Sequence, residues 1–349
     1  MAKILIIRLT SLGDVIFTLP LVNTLAEENE VSYLVAEKGL GIIKNNPSIK
    51  NVHFVPLKEW RKNPFSIKRY IEFFKLIREI RKEKYDIALD CQQMYKSLWL
   101  FLLSGAKRRI TFSDAREGSI IGGNEFIKPK AKFRDNNYHI VERNLDFARH
   151  LNIQPKEIKF TLPPSTNEVI EQVNMLTSTL YDVRKTVIIS PATTWKNKYW
   201  SSDNWAKVIK AINQTCNIVF TGMKEDKYYI DEILSKTQER IDCLNLVGRT
   251  NFEELKELFT RADIVISPDS GSSNLAWACS KPAVITVFTC TPAKRFGPYG
   301  DNDKYFAIQG NLSCEPCFKK RCRMKVDNCA CTNFPEADEI IKIVKKLLN

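Results

Sequence analysis

Four short polar stretches in this 349-residue sequence combine charged, hydroxyl and glycine residues in ways that could do chemistry, and each follows an apolar run. The first is RLTSLGD, residues 8–14, between KILII and the apolar-periodic VIFTLPLV. Gly13 there allows a sharp turn or close backbone approach to a ligand, and Asp14 falls where a helix N-terminus favours an anion. Ser11 and Asp14 equally fit a plain helix cap. The second stretch, SPATTWKNKYW, offers the hydroxyls of Thr193 and Thr194 and the cations of Lys196 and Lys198, a set suited to phosphate or pyrophosphate. The third, SPDSGSSNLAWA, puts Asp269, Ser270, Gly271 and Asn274 at a strand-to-helix turn, whose freed backbone N–H groups make an anion site. The fourth, FTGMKED, places Glu225 and Asp226 just past a strand end, where a carboxylate can accept the hydroxyls of a ribose or simply complement a helix dipole. Neither GxGxxG nor GxxxxGKS occurs.

A fifth group is made of thiols. Five of the ten cysteines, Cys314, Cys317, Cys322, Cys329 and Cys331, lie in CEPCFKKRCRMKVDNCAC. C-x2-C followed by C-x-C suits a small structural zinc or iron site, and the intervening Lys and Arg residues would lower the thiol pKa. A loop of reduced or paired thiols is the alternative.

The elements that must position these groups are short and β-branched. Runs at 3–8, 31–35, 52–55, 85–90 and 108–112, then at 186–190, 217–222, 243–248, 263–268 and 282–288, alternate with helical periodicity. Near-continuous apolar strands separated by helices predict parallel sheets buried on both faces. The fold class is therefore α/β, with two Rossmann-like, doubly wound domains facing one cleft. Domains are expected at 1–160 and 161–349, joined through the polar, proline-bearing QPKEIKFTLPPSTNE, with a C-terminal helix that packs back on the first. In such sheets ligands bind at the carboxyl ends of the strands, where all four polar stretches fall. Trp200 and Trp205 are expected in the core.

Charge is uneven. The net +13 is concentrated in residues 1–150, where 26 Lys and Arg face 17 Asp and Glu, a surplus of 9. That half is expected to meet something anionic, such as nucleic acid, a membrane face or a phosphorylated substrate, although a solvated Lys-rich surface is the plain reading. The longest greasy run, LWLFLLSGA, is too short to span a bilayer, and MAKILIIR lacks the cleavage site of a signal peptide. A soluble cytoplasmic chain is expected.

SLGDVIFTLP, DCQQMYKS, SGAKRRITF, AREGS, HIVERNLDFARHLNI, TTWKNKYW and SPDSGSSNLAWA, in this order, resemble the bacterial lipopolysaccharide heptosyltransferases, over roughly residues 1–300. The resemblance implies a GT-B fold and an inverting transfer of heptose from ADP-heptose to the lipopolysaccharide inner core, at the inner face of the cytoplasmic membrane. It makes Asp14 the general base and Lys198 the residue that grips the donor phosphates. It makes Asp226, or Glu225, the ribose-binding acid, and Asp269, Ser270 and Gly271 the loop beneath the pyrophosphate. Asn274 stands where many members have His. The resemblance places Lys96, Arg116, His139 and Arg143 around an anionic, lipid-linked acceptor; His139 and Arg143, four apart on one helix, equally fit surface ion pairing with Glu142 or Asp146. No cofactor is expected for transfer, since cations and helix dipoles neutralise the leaving group.

Three other functions compete. A heptosyltransferase of the same fold could act on a protein acceptor. A nucleic-acid-binding protein would explain the basic half and the cysteines but leave Asp14, Lys198 and Asp269 without purpose, so no nucleic-acid partner is expected. A nucleotide-sugar epimerase would need acid and base groups that are not found.

Overall fold

The computed structural model describes residues 1–133, 135–180, 183–300, 303–310, 316–319, 322 and 330–349. The first sheet contains β1 (Lys3–Ile7), β2 (Glu30–Ala36), β3 (Asn51–Val55), β4 (Ile87–Asp90), β5 (Arg108–Phe112) and β6 (Glu125–Ile127). The second contains β7 (Thr186–Ile189), β8 (Asn217–Phe220), β9 (Cys243–Asn245), β10 (Ile264–Pro268), β11 (Ala283–Phe288) and β12 (Tyr305–Gln309). Every pairing is parallel, in the orders β3-β2-β1-β4-β5-β6 and β12-β11-β10-β7-β8-β9. The central strands KILII, IALD, TVII and IVISP are buried almost throughout, because helices cover both faces of each sheet. The edge strands β6 and β12 had no expected counterpart. β6 is three residues long and β12 is only half-buried, so neither carries a strong apolar signature.

The chain divides into Met1–Pro164 and Ser165–Asn349. The boundary follows the expected residue 160 because the intervening segment is pinned to the first unit: Asn23 Nδ2 donates to the Lys159 carbonyl and Asn46 Nδ2 to that of Thr161, each at 2.7 Å. The buried stripe of the C-terminal helix Ala337–Leu348, made of Ala337, Ile340 and Val344, joins Val187, Trp205, Ile209 and Ile218 in the core of the second unit. Trp200 and Trp205 sit in that core as expected, edge to face at 4.9 Å. In the first unit Leu5, Ile7, Leu34, Val55, Leu76, Ile77, Ile80 and Phe101 form the corresponding core.

Each sheet has one point where strand order reverses. In the first unit it lies between β1 and β4; in the second, between β7 and β10. Within each sheet, the loops leaving the two strands at the reversal start from the carboxyl edge, where open α/β sheets bind ligands. No helix of the described residues is long and apolar enough to cross a membrane.

Candidate active site

In the first unit, Arg8 follows β1 directly, and Asp14 is the third residue of the short helix Leu12–Ile16. Arg8 Nη2 lies 2.6 Å from Asp14 Oδ1, and Nη1 donates to the Cys91 carbonyl. The other carboxylate oxygen, Oδ2, accepts from the backbone N–H and the hydroxyl of Ser11, each at 2.9 Å. The cap and the poised acid are therefore one side chain: Asp14 closes a capping box on Ser11. The pair presents its anionic member to solvent, since the Asp14 side chain keeps 30% of its exposure against 12% for Arg8. Burial acts to raise the Asp14 pKa, but the Arg8 charge and the bonds from Ser11 outweigh it, so the carboxyl lies below its ordinary value. Gly13 does not make a left-handed turn; it is buried within the helix. That helix stops at Ile16 and a second begins at Leu19, with Pro20 in its first turn.

The loop after β4 holds this arrangement in place. Gln92 Oε1 accepts from the backbone N–H groups of Leu9 and Thr10, both at 3.0 Å. Gln92 and Gln93 are themselves anchored by Asp90 Oδ1, which accepts from their N–H groups at 3.2 and 3.0 Å and from Ser97 Oγ at 3.0 Å. Asp90 Oδ2 is buried and unpaired. Burial pushes the Asp90 carboxyl up to about 6 against those hydrogen bonds. Lys96, in the first turn of the helix Tyr95–Leu102, donates to Thr10 Oγ1. Burial, with Arg8 and Arg61 nearby, brings its ammonium down to about 8. Thus Ser11, Asp14 and Lys96 come together in one network. Arg8 and Gln92 are additions; their sequence signals are a cation at the strand end six residues before the acid, and an amide pair directly after a strand.

The remaining expected acceptor residues lie elsewhere in this network. Arg143 is 3% exposed and does not face solvent. Its guanidinium binds Asp114 Oδ1 at 2.5 Å and Gln93 Oε1 at 2.9 Å, and stacks over Phe112 at 4.0 Å. Arg149, on the same helix, pairs with both Glu142 and Asp146. His139 is the N-cap of the helix Ile140–His150, where its Nδ1 accepts from Val141 N at 3.1 Å. Arg116 is half-buried, with its guanidinium 3.9 Å from the centre of the Phe133 ring. Arg143 supports the site from inside, through Gln93.

In the second unit, Lys198 ends the short turn Lys196–Lys198 after β7, and Asp269 follows β10. Lys198 Nζ lies 2.6 Å from Asp269 Oδ2, which also accepts from Thr291 Oγ1 at 2.6 Å. Here the cation is the more exposed partner, 17% against 7%. Ser270 caps the helix Gly271–Ala278, accepting from Ser272 N at 3.2 Å. Asn274 is buried, its Oδ1 accepting from Trp277 Nε1 at 3.2 Å. Gly271 takes an ordinary helical backbone. Thr193 is half-buried and Thr194 exposed. Burial and the nearby Asp226 charge raise the pKa of Tyr199, on the same loop. Asp226 closes its own turn by accepting from Met223 N at 2.8 Å, whereas Glu225 is exposed. Burial, joined by Glu225, raises the Asp226 pKa. This turn sits against Gly248, which has φ +70° and whose missing Cβ would lie 2.9 Å from Lys224 Cα. The loops after β7, β8 and β10 therefore meet at one edge, with a cation, a carboxylate and a helix start together. Thr291, beyond β11, is the member that sequence did not reveal.

Cys314 and Cys329 lie outside the described residues. Cys317 is exposed, Cys322 half-buried and Cys331 buried, all as free thiols. Among the described residues no three His, Cys, Asp or Glu side chains are grouped to hold a metal.

The model of glycosyltransferase family 9 (heptosyltransferase) matches residues 73–327. The chain is 25% identical over 370 residues to lipopolysaccharide heptosyltransferase 1 of Campylobacter coli, covering 99% of this chain and 98% of that one. It is similar in fold to the family 9 glycosyl transferase of Veillonella parvula, with TM-score 0.83, 19% identity and coverage of 99% and 97%. It is also similar to Escherichia coli heptosyltransferase WaaC, solved with ADP, with TM-score 0.74, 20% identity and 99% coverage of each chain. Two Rossmann-like units of the GT-B type, with charged pairs at both strand-order reversals, are the frame of a glycosyltransferase, and the chain belongs to glycosyltransferase family 9, the heptosyltransferases.

Proposed function

We propose that the enzyme transfers a heptose, with inversion, from ADP-heptose to a hydroxyl of the lipopolysaccharide inner core. Relatives named as lipopolysaccharide heptosyltransferases over nearly the whole chain support the donor and acceptor classes. The observation that carries the residue assignment is the sign of the group each reversal point presents: a carboxylate in the first unit and an ammonium in the second.

In this scheme the acceptor oxygen forms a bond to the anomeric carbon while the bond from that carbon to the diphosphate oxygen breaks on the opposite face. The hydroxyl proton passes to Asp14. A carboxylate held by Arg8 is a weak base in the ground state. It suffices because the hydroxyl becomes strongly acidic only as its bond to carbon forms, so proton transfer is late. The leaving ADP gathers charge in the same step. Lys198, with three N–H donors, keeps Asp269 as one partner and turns the others to the diphosphate, together with the backbone N–H groups that open the helix Gly271–Ala278. These contacts strengthen as the bond breaks and so favour the transition state over the bound donor. Asp226 accepts from the ribose hydroxyls. Lys96 binds an anionic group of the acceptor, whose lipid brings the enzyme to the membrane surface from the cytoplasmic side. A structural zinc or iron at the clustered cysteines is supported by their spacing alone; it would be held by thiolates that the described residues do not bring together. Incubation with ADP-heptose and core-deficient lipopolysaccharide, followed by mass spectrometry, tests the reaction. A mass increase of one heptose is expected, and an unchanged acceptor with unconsumed ADP-heptose contradicts it.

A further inference from the structure

The helix Ile67–Lys82 carries two apolar stripes. One, comprising Phe73, Leu76, Ile77 and Ile80, packs into the core of the first unit. The other, comprising Ile67, Tyr70, Ile71 and Phe74, repeats at the i, i+3, i+4, i+7 spacing of a helix face and points away from that core. These four, with Phe65 just before the helix, are between 50 and 88% exposed. The helix is firmly seated: Trp60 Nε1 donates to Glu72 Oε2 at 3.0 Å, and the Trp60 and Phe73 rings meet edge to face at 6.0 Å. The second stripe is thus surplus to folding, and contiguous apolar surface of this kind marks an interaction site.

Charge identifies what it meets. Between Arg61 and Lys84 there are nine Lys and Arg against three Glu, a surplus of six. Further along the exposed face, Arg78, Arg81 and Lys82 succeed the apolar residues and are themselves exposed. Lys68 is engaged with Glu59 and Glu72, leaving the excess on the outer side uncompensated. An amphipathic helix with an apolar face flanked by Lys and Arg suits an anionic bilayer, where rings and aliphatic chains enter the acyl boundary and the cations meet headgroups. The location fits as well. The helix begins at the carboxyl edge of the first sheet, one short helix after β3, and Arg61 lies near enough to Lys96 to act on its charge.

We propose that Phe65, Ile67, Tyr70, Ile71 and Phe74 form a docking surface for an anionic phospholipid membrane, beside the Asp14 and Lys96 site. The surface deepens the reading of a lipid-linked acceptor and rests on it for its purpose. Flotation of the full chain with vesicles, without donor or acceptor, tests it. The wild-type protein is expected to float with vesicles of phosphatidylcholine plus one-third phosphatidylglycerol at low salt, and to stay behind with phosphatidylcholine alone. Ile67→Ser/Ile71→Ser/Phe74→Ser should weaken partitioning by about tenfold or more. Phe65→Ser, outside the helix and so without effect on its packing, should weaken it by a smaller factor. Both variants should transfer heptose to detergent-dispersed acceptor at the wild-type rate. A wild-type protein that stays unbound, or a triple variant that floats equally well, overturns the proposal. So does loss of a concentration-dependent dimer in the triple variant without any vesicle binding, which would give the face to a second copy of the chain. A protein that floats but transfers no heptose sinks the proposed reaction alone; one that transfers but never floats sinks this surface alone.

Discussion

The two units build the same device with opposite polarity. Each places an acid and a base partner on loops at its strand-order reversal, 2.6 Å apart in both cases. In the first unit the cation is the more deeply set partner and the carboxylate is presented; in the second the carboxylate is buried and the lysine is presented. The difference comes from which loop carries which group. Arg8 leaves the strand itself, so its guanidinium starts inside the sheet edge, and Asp14 reaches it from a helix turn outside. Asp269 leaves β10 directly and is fixed by Thr291, while Lys198 arrives from the outer turn. A fold that supplies a generic crevice is thus specialised by the sign of the residue at the strand end. In the proposed reaction the first unit would supply the proton acceptor and the second the anion receptor.

Substitutions that remove the presented member of each pair should break the symmetry in different observables. Asp14→Ala is expected to lower transfer by about 10³-fold, the scale of a positioned base, while ADP affinity measured by calorimetry stays at the wild-type value. Lys198→Met should weaken ADP binding by roughly 10- to 100-fold, the scale of a charge-assisted contact. It should also lower the urea midpoint, because Asp269 is left buried beside Thr291 without its cation. Gln92→Ala removes the acceptor of two backbone N–H groups that hold the Arg8–Ser11 loop. It should lower kcat by about tenfold, a cost comparable to one or two lost hydrogen bonds, without altering ADP affinity; Gln92→Glu, which keeps an acceptor, should restore part of it.

Two pH effects sharpen the comparison further. Lys96 loses its charge near pH 8, so KM for an anionic acceptor should rise as pH passes through about 8, and that limb should vanish in Lys96→Met. Asp90, at about 6, holds its proton in the folded state where the unfolded chain has released it. Stability should therefore fall as pH rises from the ordinary carboxylate pKa to about 6, by roughly 2–3 kcal/mol. Asp90→Asn should flatten that slope in urea titrations followed against pH.

Much of this was legible in the residues because parallel strands buried on both faces are written as apolar runs. Ten of the twelve strands follow such runs, and the polar stretches after them mark the carboxyl edge. Edge strands escape because one side of β6 and β12 needs no burial. The pairs themselves were half legible. Asp14, Lys198 and Asp269 stand out by type and place, but Arg8, Gln92 and Thr291 are identified only by where the fold brings them. Arg143 shows the converse: a cation in a basic segment looked like a ligand contact, yet Asp114, Gln93 and Phe112 enclose it. The stripe of the C-terminal helix matches the core of the second unit, a complementarity that no local pattern contains.

The division of labour between the two pairs is tested most directly by ADP titration and heptose transfer measured side by side on Asp14→Asn and Lys198→Met. The account predicts that Asp14→Asn binds ADP as the wild-type protein does and transfers almost nothing, while Lys198→Met loses ADP affinity. Transfer by Asp14→Asn at the wild-type rate, or equal loss of ADP binding in both variants, would contradict it.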